Sequence, residues 1–268
     1  MGKLKRIRFA LSDRLASLLG RADDLVPPRK LSALVGGGDF KGLGEEFFGY
    51  FTGIGGLKPD DRVLDVGCGC GRMAVPLMRY LSPRGSYEGF DVMQVGIDWC
   101  LRRITPRDPR FRFRHANIFN QYYNPGGKCQ PTEYRFPYPD GHFDFVFLTS
   151  VFTHMLADDM RHYLAEIARV MAPGGRCLIS YFILNPQSEA LMDAGKSAFA
   201  PRIPRPDCVI LREDKPEETV AYQESLIRGC FTGNGLAIAE PIRYGSWSGR
   251  PDFLTFQDLV VAKKSGGA

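Results

Sequence analysis

The sequence of 268 residues lacks the features that mark several large classes of protein. No apolar run has the length that a membrane-spanning helix needs, and Asp13 and Arg14 interrupt the apolar stretch that a secretory signal would require. The seven cysteines stand at irregular positions and form no disulfide framework. Cys68 and Cys70 have no second Cys or His pair at zinc-binding spacing, so we expect no metal site. These absences predict a cytoplasmic protein with reduced thiols.

Positive charge is concentrated at one end of the chain. The net charge is +5, and residues 1–30 contain eight Lys or Arg against three Asp, so the remainder is balanced. Because a neutral body offers no basic surface to phosphates, we expect no nucleic-acid partner. Apolar residues at helical spacing predict an amphipathic helix over residues 3–19. This helix docks on the rest of the chain or, being basic, makes a peripheral contact with an anionic membrane.

From residue 61 the sequence alternates short apolar runs with amphipathic segments. The expected strands are at 62–66, 86–91, 110–115, 143–148, 176–184, 237–240 and 258–262. The expected helices between them are at 71–81, 95–103 and 158–171, the last ended by Pro173-Gly174-Gly175. This alternation predicts an α/β fold with a doubly wound, Rossmann-like, mostly parallel sheet. No oligomeric state follows from the pattern.

Three segments lie outside the simple alternation. We expect a helical extension or cap over residues 1–58, with a helix at 44–51, followed by one domain over residues 59–268. Within that domain, residues 118–139 and 185–220 are rich in proline and polar residues. Long irregular insertions are usually functional loops or disordered, and both are expected at the carboxyl edge of the sheet, where ligands bind.

The most informative segment reads Val-Leu-Asp-Val-Gly-Cys-Gly-Cys-Gly. A short buried strand runs into Gly67, Gly69 and Gly71, which allow a tight turn and a close approach of the backbone to a ligand. Asp91 ends the next strand, where a carboxylate can accept hydrogen bonds from two ribose hydroxyls. Dinucleotide folds use G-x-G-x-x-G, and Asp65 would be poorly placed beside a pyrophosphate. The pattern therefore favours a nucleoside cofactor with an ammonium group and a sulfonium centre.

This segment resembles motif I of the class I S-adenosylmethionine (SAM)-dependent methyltransferases. Residues 136–146, 150–155 and 169–175 also resemble segments of small-molecule methyltransferases related to the ubiquinone/menaquinone group. The resemblance spans residues 61–184 and implies SAM as cofactor, S-adenosylhomocysteine as product, and a seven-stranded sheet with a reversed terminal hairpin. It names no acceptor, because one framework serves many acceptors.

The resemblance also implies a set of cofactor contacts. Asp65 is expected to hold the methionine ammonium and Asp91 the ribose, while Asn117 replaces the Asp that commonly contacts the adenine amino group. The other expected contacts are Gly67, Gly69, Gly71, Arg72, Val92, Ile118, Thr149 and Ser150. Arg72 either reaches the methionine carboxylate or faces outward. Catechol-type enzymes bind magnesium through acids at this edge, and the absence of acids at positions 149 and 150 predicts no such site.

The acceptor is expected to be a small molecule or a glycan, methylated on a hydroxyl oxygen. His154 is the candidate general base, with a structural role as the alternative. The candidate acceptor contacts are Tyr122, Tyr123 and Trp247, for which loop packing is the alternative, and Phe40 as a pocket wall, for which a mobile linker is the alternative. N-methylation of a small amine and a catalytically silent SAM-binding regulator remain open, whereas the glycine spacing argues against a nicotinamide-dependent oxidoreductase.

Overall fold

The computed structural model describes residues 23–34 and 36–266 of the chain. The helix predicted at residues 3–19 lies outside these ranges. The helices of the described part are α1 (Arg29–Ser32), α2 (Phe40–Gly53), α3 (Ala74–Met78), α4 (Gln94–Arg103), α5 (Ala157–Val170), α6 (Pro186–Asp193) and α7 (Glu224–Gly233). Short 3-10 turns are at Pro131–Glu133, Phe152–His154, Pro216–Glu218 and Ser246–Ser248.

The strands form two sheets. They are β1 (Arg62–Val66), β2 (Ser86–Asp91), β3 (Phe111–His115), β4 (Phe143–Leu148), β5 (Met171–Tyr181), β6 (Ile183–Leu184), β7 (Ile203–Arg205), β8 (Cys208–Ile210), β9 (Val220–Gln223), β10 (Leu236–Ile238) and β11 (Asp258–Lys264). The main sheet has the order β10-β11-β5-β4-β1-β2-β3. Strand β11 is antiparallel to both of its neighbours, and the other pairs are parallel. The predicted seven-stranded α/β sheet with a reversed terminal hairpin is confirmed.

Both faces of the main sheet are buried. Along β4, Val146 and Leu148 belong to the core on one face, whereas Phe145 and Phe147 belong to the core on the other. This alternation follows from the two-residue period of a strand. Helix α5 covers the first face through apolar residues at helical spacing, which are Met160, Tyr163, Leu164 and Ile167.

The segment before the main sheet packs against it. Helix α2 begins at Phe40, earlier than the predicted start at 44, and its residues Phe47 and Phe51 share a core with strand residues. The ring centroids of Phe51 and Phe147 are 4.3 Å apart. The division of the chain at residues 58 and 59 stays a prediction.

The transition into β5 differs from the expected one. Helix α5 ends at Val170 and β5 starts at Met171, so the Pro-Gly-Gly run lies inside the strand rather than before it. Phe143 pairs with Met171 and Phe145 with Arg176, so β5 has three extra residues that bulge out of the ladder. The strand also stops at Tyr181 instead of continuing to residue 184.

The insertion at residues 185–220 was expected to be an irregular loop, and this expectation was wrong. With β6, it forms a second sheet of order β6-β9-β8-β7, and helix α6 begins with a capping box between Asn185 and Ser188. These strands are two to four residues long and one contains Pro204, so they lack the periodic signal from which strands are predicted.

Within the described ranges, none of the helices combines the length and the apolar character that crossing a membrane demands. No group of three or more His, Cys, Asp or Glu in those ranges is arranged to hold a metal ion. All seven cysteines are free.

Candidate functional site

A cavity of about 510 Å³ lies at the carboxyl edge of the main sheet. Parallel strands β1, β2 and β4 end together at this edge, which brings the loops that follow them into one place. The insertion at 118–139, the turn Pro216–Glu218 and residues 255–257 complete its wall. The volume is typical of a pocket for a small molecule or cofactor.

The glycine turn after β1 forms one wall of the cavity. Gly67, Gly69 and Gly71 have φ values of +84°, +55° and +80°, which side-chain-bearing residues rarely adopt. Gly67 and Gly69 line the cavity. Gly71 does not, because it faces helix α4, where a Cβ atom would lie 2.4 Å from Cδ1 of Ile104. The structure therefore gives Gly71 a packing role instead of the expected cofactor contact.

Asp65 places a buried carboxyl in the cavity wall. Its Oδ2 accepts a hydrogen bond of 2.5 Å from the hydroxyl of Tyr87, while its Oδ1 is buried with no partner among the described residues. Burial raises the pKa of Asp65 to about 8, although the bond from Tyr87 opposes the shift. A buried carboxyl oxygen without a partner is suited to receive an ammonium group.

Asp91 is held rigidly at the end of β2. Its Oδ2 accepts from the N–H of Gly69 at 2.8 Å, and its Oδ1 accepts from the N–H of Met93 at 2.7 Å. Burial raises its pKa, and the two N–H groups oppose that shift. Because a carboxylate has about four acceptor positions, two remain for ligand hydroxyls. This geometry fits a ribose.

The expected adenine contacts are only partly brought together. Val92 and Ile118 line the cavity. Asn117 does not: its side chain is exposed, and its backbone carbonyl accepts from the N–H groups of Lys128 and Cys129. The structure therefore uses Asn117 to hold the insertion, which corrects the expectation that its amide faces adenine.

Arg72 faces the cavity and not the solvent. Its Nη2 donates to the carbonyl of Gly37, and its guanidinium carbon lies 5.8 Å from the ring centroid of Phe40. Burial lowers the pKa of Arg72. Gly36 lines the cavity. Phe40 is buried under Arg72 and does not line the cavity, so it packs behind the wall.

His154 lies in the turn after β4 and lines the cavity. Its Nδ1 is 3.1 Å from the carbonyl oxygen of Glu217. A carbonyl only accepts hydrogen bonds, so Nδ1 carries the proton and Nε2 of the neutral ring carries a lone pair. Burial lowers the pKa of His154, which keeps the ring neutral near neutral pH. The ring of Tyr123 meets it edge-on at 5.6 Å.

The strand end before His154 forms part of the cavity wall. Thr149 and Ser150 both line the cavity. Ser150 has φ +59°, its N–H donates to Oγ of Ser180 at 2.7 Å, and its own Oγ donates to Oε1 of Gln257 at 3.1 Å. These bonds hold the turn in a conformation that a non-glycine residue adopts only when its surroundings stabilise it.

The predicted aromatic acceptor contacts separate into different environments. Tyr123 lines the cavity, whereas Tyr122 is 55% exposed and outside its lining. Trp247 is fully buried between Phe182 and Phe199, and its indole N–H donates to Asp258 at 2.7 Å. The structure corrects the expectation for Trp247, because a side chain enclosed in this way cannot reach an acceptor.

Several lining residues were not predicted from the sequence. They are Phe119, Thr153, Asp159, Tyr163, Glu218 and Phe256. They come from several loops and from helix α5, and Thr153 alone among them lies in a segment whose sequence resembles a known family. Tertiary structure alone brings them together.

Comparison with known proteins identifies related sequences. Residues 40–210 match a family model described as "Methyltransferase domain". A 27-O-demethylrifamycin SV methyltransferase of Amycolatopsis mediterranei is 29% identical over 160 residues, which are 54% of this chain and 49% of that protein. A ubiquinone/menaquinone biosynthesis C-methyltransferase of Cupriavidus necator is 28% identical over 133 residues, which are 47% and 45% of the two chains. The chain thus spans about half the length of these relatives.

A solved structure supports the fold. The 1,6-didemethyltoxoflavin-N1-methyltransferase of Burkholderia thailandensis, solved with S-adenosylhomocysteine bound, superimposes with a TM-score of 0.50 at 15% identity. The alignment covers 99% of this chain and 91% of that one. By their names, the three proteins act on different kinds of acceptor atom, so similarity alone does not identify the atom methylated here.

Proposed function

Because the chain belongs to the methyltransferase-domain family, whose model covers residues 40–210, we propose that it transfers a methyl group from S-adenosylmethionine to a hydroxyl oxygen of a small molecule or glycan. The cofactor is S-adenosylmethionine, which supplies an electrophilic methyl group on a sulfonium centre. The free cysteines fit a reducing compartment, and we place the protein in the cytoplasm.

The residues around the cavity fit this cofactor. The unpartnered Oδ1 of Asp65 would bind the methionine ammonium, and the free acceptor positions of Asp91 would bind the ribose hydroxyls. Val92 and Ile118 offer apolar surfaces for adenine. Arg72, now bonded to a backbone carbonyl, would bind the methionine carboxylate.

His154 supplies the base. With Nδ1 donating to the carbonyl of Glu217, Nε2 can take the proton from an acceptor hydroxyl and increase the nucleophilicity of its oxygen. A neutral alcohol needs such a base more than a neutral amine does. The observation that carries the proposal is therefore this neutral histidine, with its proton on Nδ1, in the same cavity as the unpartnered Oδ1 of Asp65.

Transfer of a ¹³C-labelled methyl group tests the proposal. The protein is incubated with labelled SAM and panels of hydroxylated compounds and amines, and carbon NMR distinguishes O-, N- and C-methyl products. We expect an O-methyl product that His154→Ala largely abolishes, with unchanged affinity for S-adenosylhomocysteine in calorimetry. An N-methyl product would favour the amine alternative. Normal cofactor binding without transfer to any compound would favour a regulatory protein.

A further inference from the structure

The cavity contains two acidic side chains that the proposed function does not use. We propose that Asp159 and Glu218 form an acceptor subsite for a protonated amine, so that the acceptor is a hydroxyl compound that also carries an ammonium group. This inference rests on the proposed function and specifies its substrate class.

One carboxyl is close to His154 along the chain, and the other follows a residue that is hydrogen-bonded to His154. Asp159 is in the first turn of α5, five positions after His154 in the chain. Glu218 ends the turn Pro216–Glu218. The carbonyl oxygen of the preceding residue, Glu217, accepts a hydrogen bond from Nδ1 of His154. All three side chains that would meet the acceptor line the same cavity.

A buried hydroxyl independently points to a polar ligand at this place. Thr153 is fully buried, lines the cavity, and its Oγ1 has no hydrogen-bond partner among the described residues. Buried hydroxyl groups are nearly always hydrogen-bonded, because leaving one without a partner is costly. Thr153 directly precedes His154, so its unpartnered hydroxyl belongs to the part of the cavity around His154, Asp159 and Glu218, which we call the acceptor end, and not to the glycine turn.

The charges near the acceptor end are mainly negative. The other charged residues that line the cavity are Asp65, Arg72 and Asp91, which we assign to the cofactor. Glu218 has a cation nearby, since its Oε2 is 3.5 Å from Nε of Arg212. That exposed arginine forms a closer pair of 2.7 Å with Asp214, which leaves the charge of Glu218 incompletely balanced.

The negative charge of Asp159 is balanced less well than that of Glu218. Burial raises its pKa and Asp158 adds to the effect, whereas the Leu156 backbone and His162 oppose it. A third acid, Glu217, does not line the cavity, and its Oε2 accepts a hydrogen bond from the N–H of Gln121 at 2.7 Å. A ligand cation would relieve the unfavourable placement of these carboxyls, and an anionic acceptor would be repelled.

The amine is an anchor rather than the methylated atom. A nitrogen that donates its protons to carboxylates has no lone pair with which to attack a methyl group. The hydroxyl of the same molecule keeps its lone pairs and can lose its proton to Nε2 of His154. The subsite thus combines charge recognition with O-methylation and requires no additional reactant.

A series of probes of matched shape and different charge tests the subsite. 2-Phenylethylammonium, 2-phenylethanol and phenylacetate share a ring that suits the aromatic lining and differ in charge. Their dissociation constants are measured by calorimetry on the full-length protein saturated with S-adenosylhomocysteine at about pH 8, where an alkylamine remains protonated. We expect the ammonium to bind at least about tenfold more tightly than the alcohol, and phenylacetate to bind most weakly.

Variants assign any preference to the two carboxyls. The double variant Asp159→Asn/Glu218→Gln should bind the ammonium and the alcohol equally while keeping its affinity for S-adenosylhomocysteine. Asp158→Asn is the matched control, because this neighbouring carboxylate is exposed and pairs with Arg161. It should keep the tenfold preference.

Three results would overturn the subsite: equal binding of ammonium and alcohol, a preference that survives the double variant, or no binding of the ammonium. Failure of the proposed function looks different. If the wild-type protein does not bind S-adenosylhomocysteine, or methylates no hydroxyl compound, the proposed function itself is wrong. If it methylates hydroxyl compounds without regard to an amine, only the subsite is wrong.

Discussion

The buried carboxyl of Asp65 should couple cofactor binding to the release of a proton. Its pKa of about 8 is one unit above pH 7, so roughly ten protonated carboxyls exist for each ionised one. An ammonium within hydrogen-bond distance typically lowers a carboxyl pKa by about 1–3 units, and burial of the pair strengthens the attraction. Binding of S-adenosylhomocysteine at pH 7 should then release about 0.9 proton where the shift is at the upper end of that range.

Calorimetry in buffers with different ionisation enthalpies measures this proton. The observed enthalpy of binding S-adenosylhomocysteine should vary linearly with the ionisation enthalpy of the buffer, and the slope gives the number of protons released. Asp65→Asn is the matched variant, since an amide has the same shape and does not titrate. It should release about one proton fewer and bind about 10- to 100-fold more weakly, as expected for a lost hydrogen bond to a charged group.

The same pKa makes a prediction for stability without ligand. Asp65 binds its proton more tightly when folded than when unfolded, because the folded pKa is raised from 3.8 to about 8. Its contribution to the free energy of unfolding therefore decreases as the pH rises through this window. Asp65→Asn should flatten this pH dependence. A buffer-independent binding enthalpy in the wild-type protein, together with an unaltered pH profile in the variant, would refute the reasoning.

Three further predictions concern the rest of the site. His154→Ala should lower the rate of methyl transfer by about 10²- to 10⁴-fold without changing the dissociation constant of S-adenosylhomocysteine; unchanged turnover would remove the base role. Gly67→Ala should lower both the melting temperature and cofactor affinity, because φ is +84° and the new Cβ would lie 2.4 Å from Cγ2 of Val151. In the control Gly229→Ala, the Cβ meets nothing within 4 Å, and differential scanning fluorimetry should detect no loss. Trp247→Phe should destabilise the protein by about 1–3 kcal/mol in urea unfolding, because it removes one of the three hydrogen bonds that the buried Asp258 accepts, yet it should not change the KM of any acceptor. A raised KM at unchanged stability would contradict the last of these.

The sequence by itself determined the fold class and the edge of the cavity that the glycine turn forms. The strand that holds Asp65, the turn through Gly67 and Gly69, and the strand that ends at Asp91 are each local features. Parallel pairing of β1 and β2 then brings their carboxyl ends together without further information. Such motifs are readable because the interacting atoms belong to contiguous residues, whose spacing and conformational preferences are visible in the chain.

Only the tertiary structure decided which residues surround His154 in the cavity and the state of the charged groups. The partner of Asp65 is Tyr87, 22 positions away, and the partner of His154 is a carbonyl 63 positions away. Trp247 was indistinguishable from an exposed aromatic in the sequence, but long-range packing encloses it. Burial, tautomer and pKa depend on which distant segments meet, and strands as short as β6 to β9 leave no periodic pattern from which that meeting could be predicted.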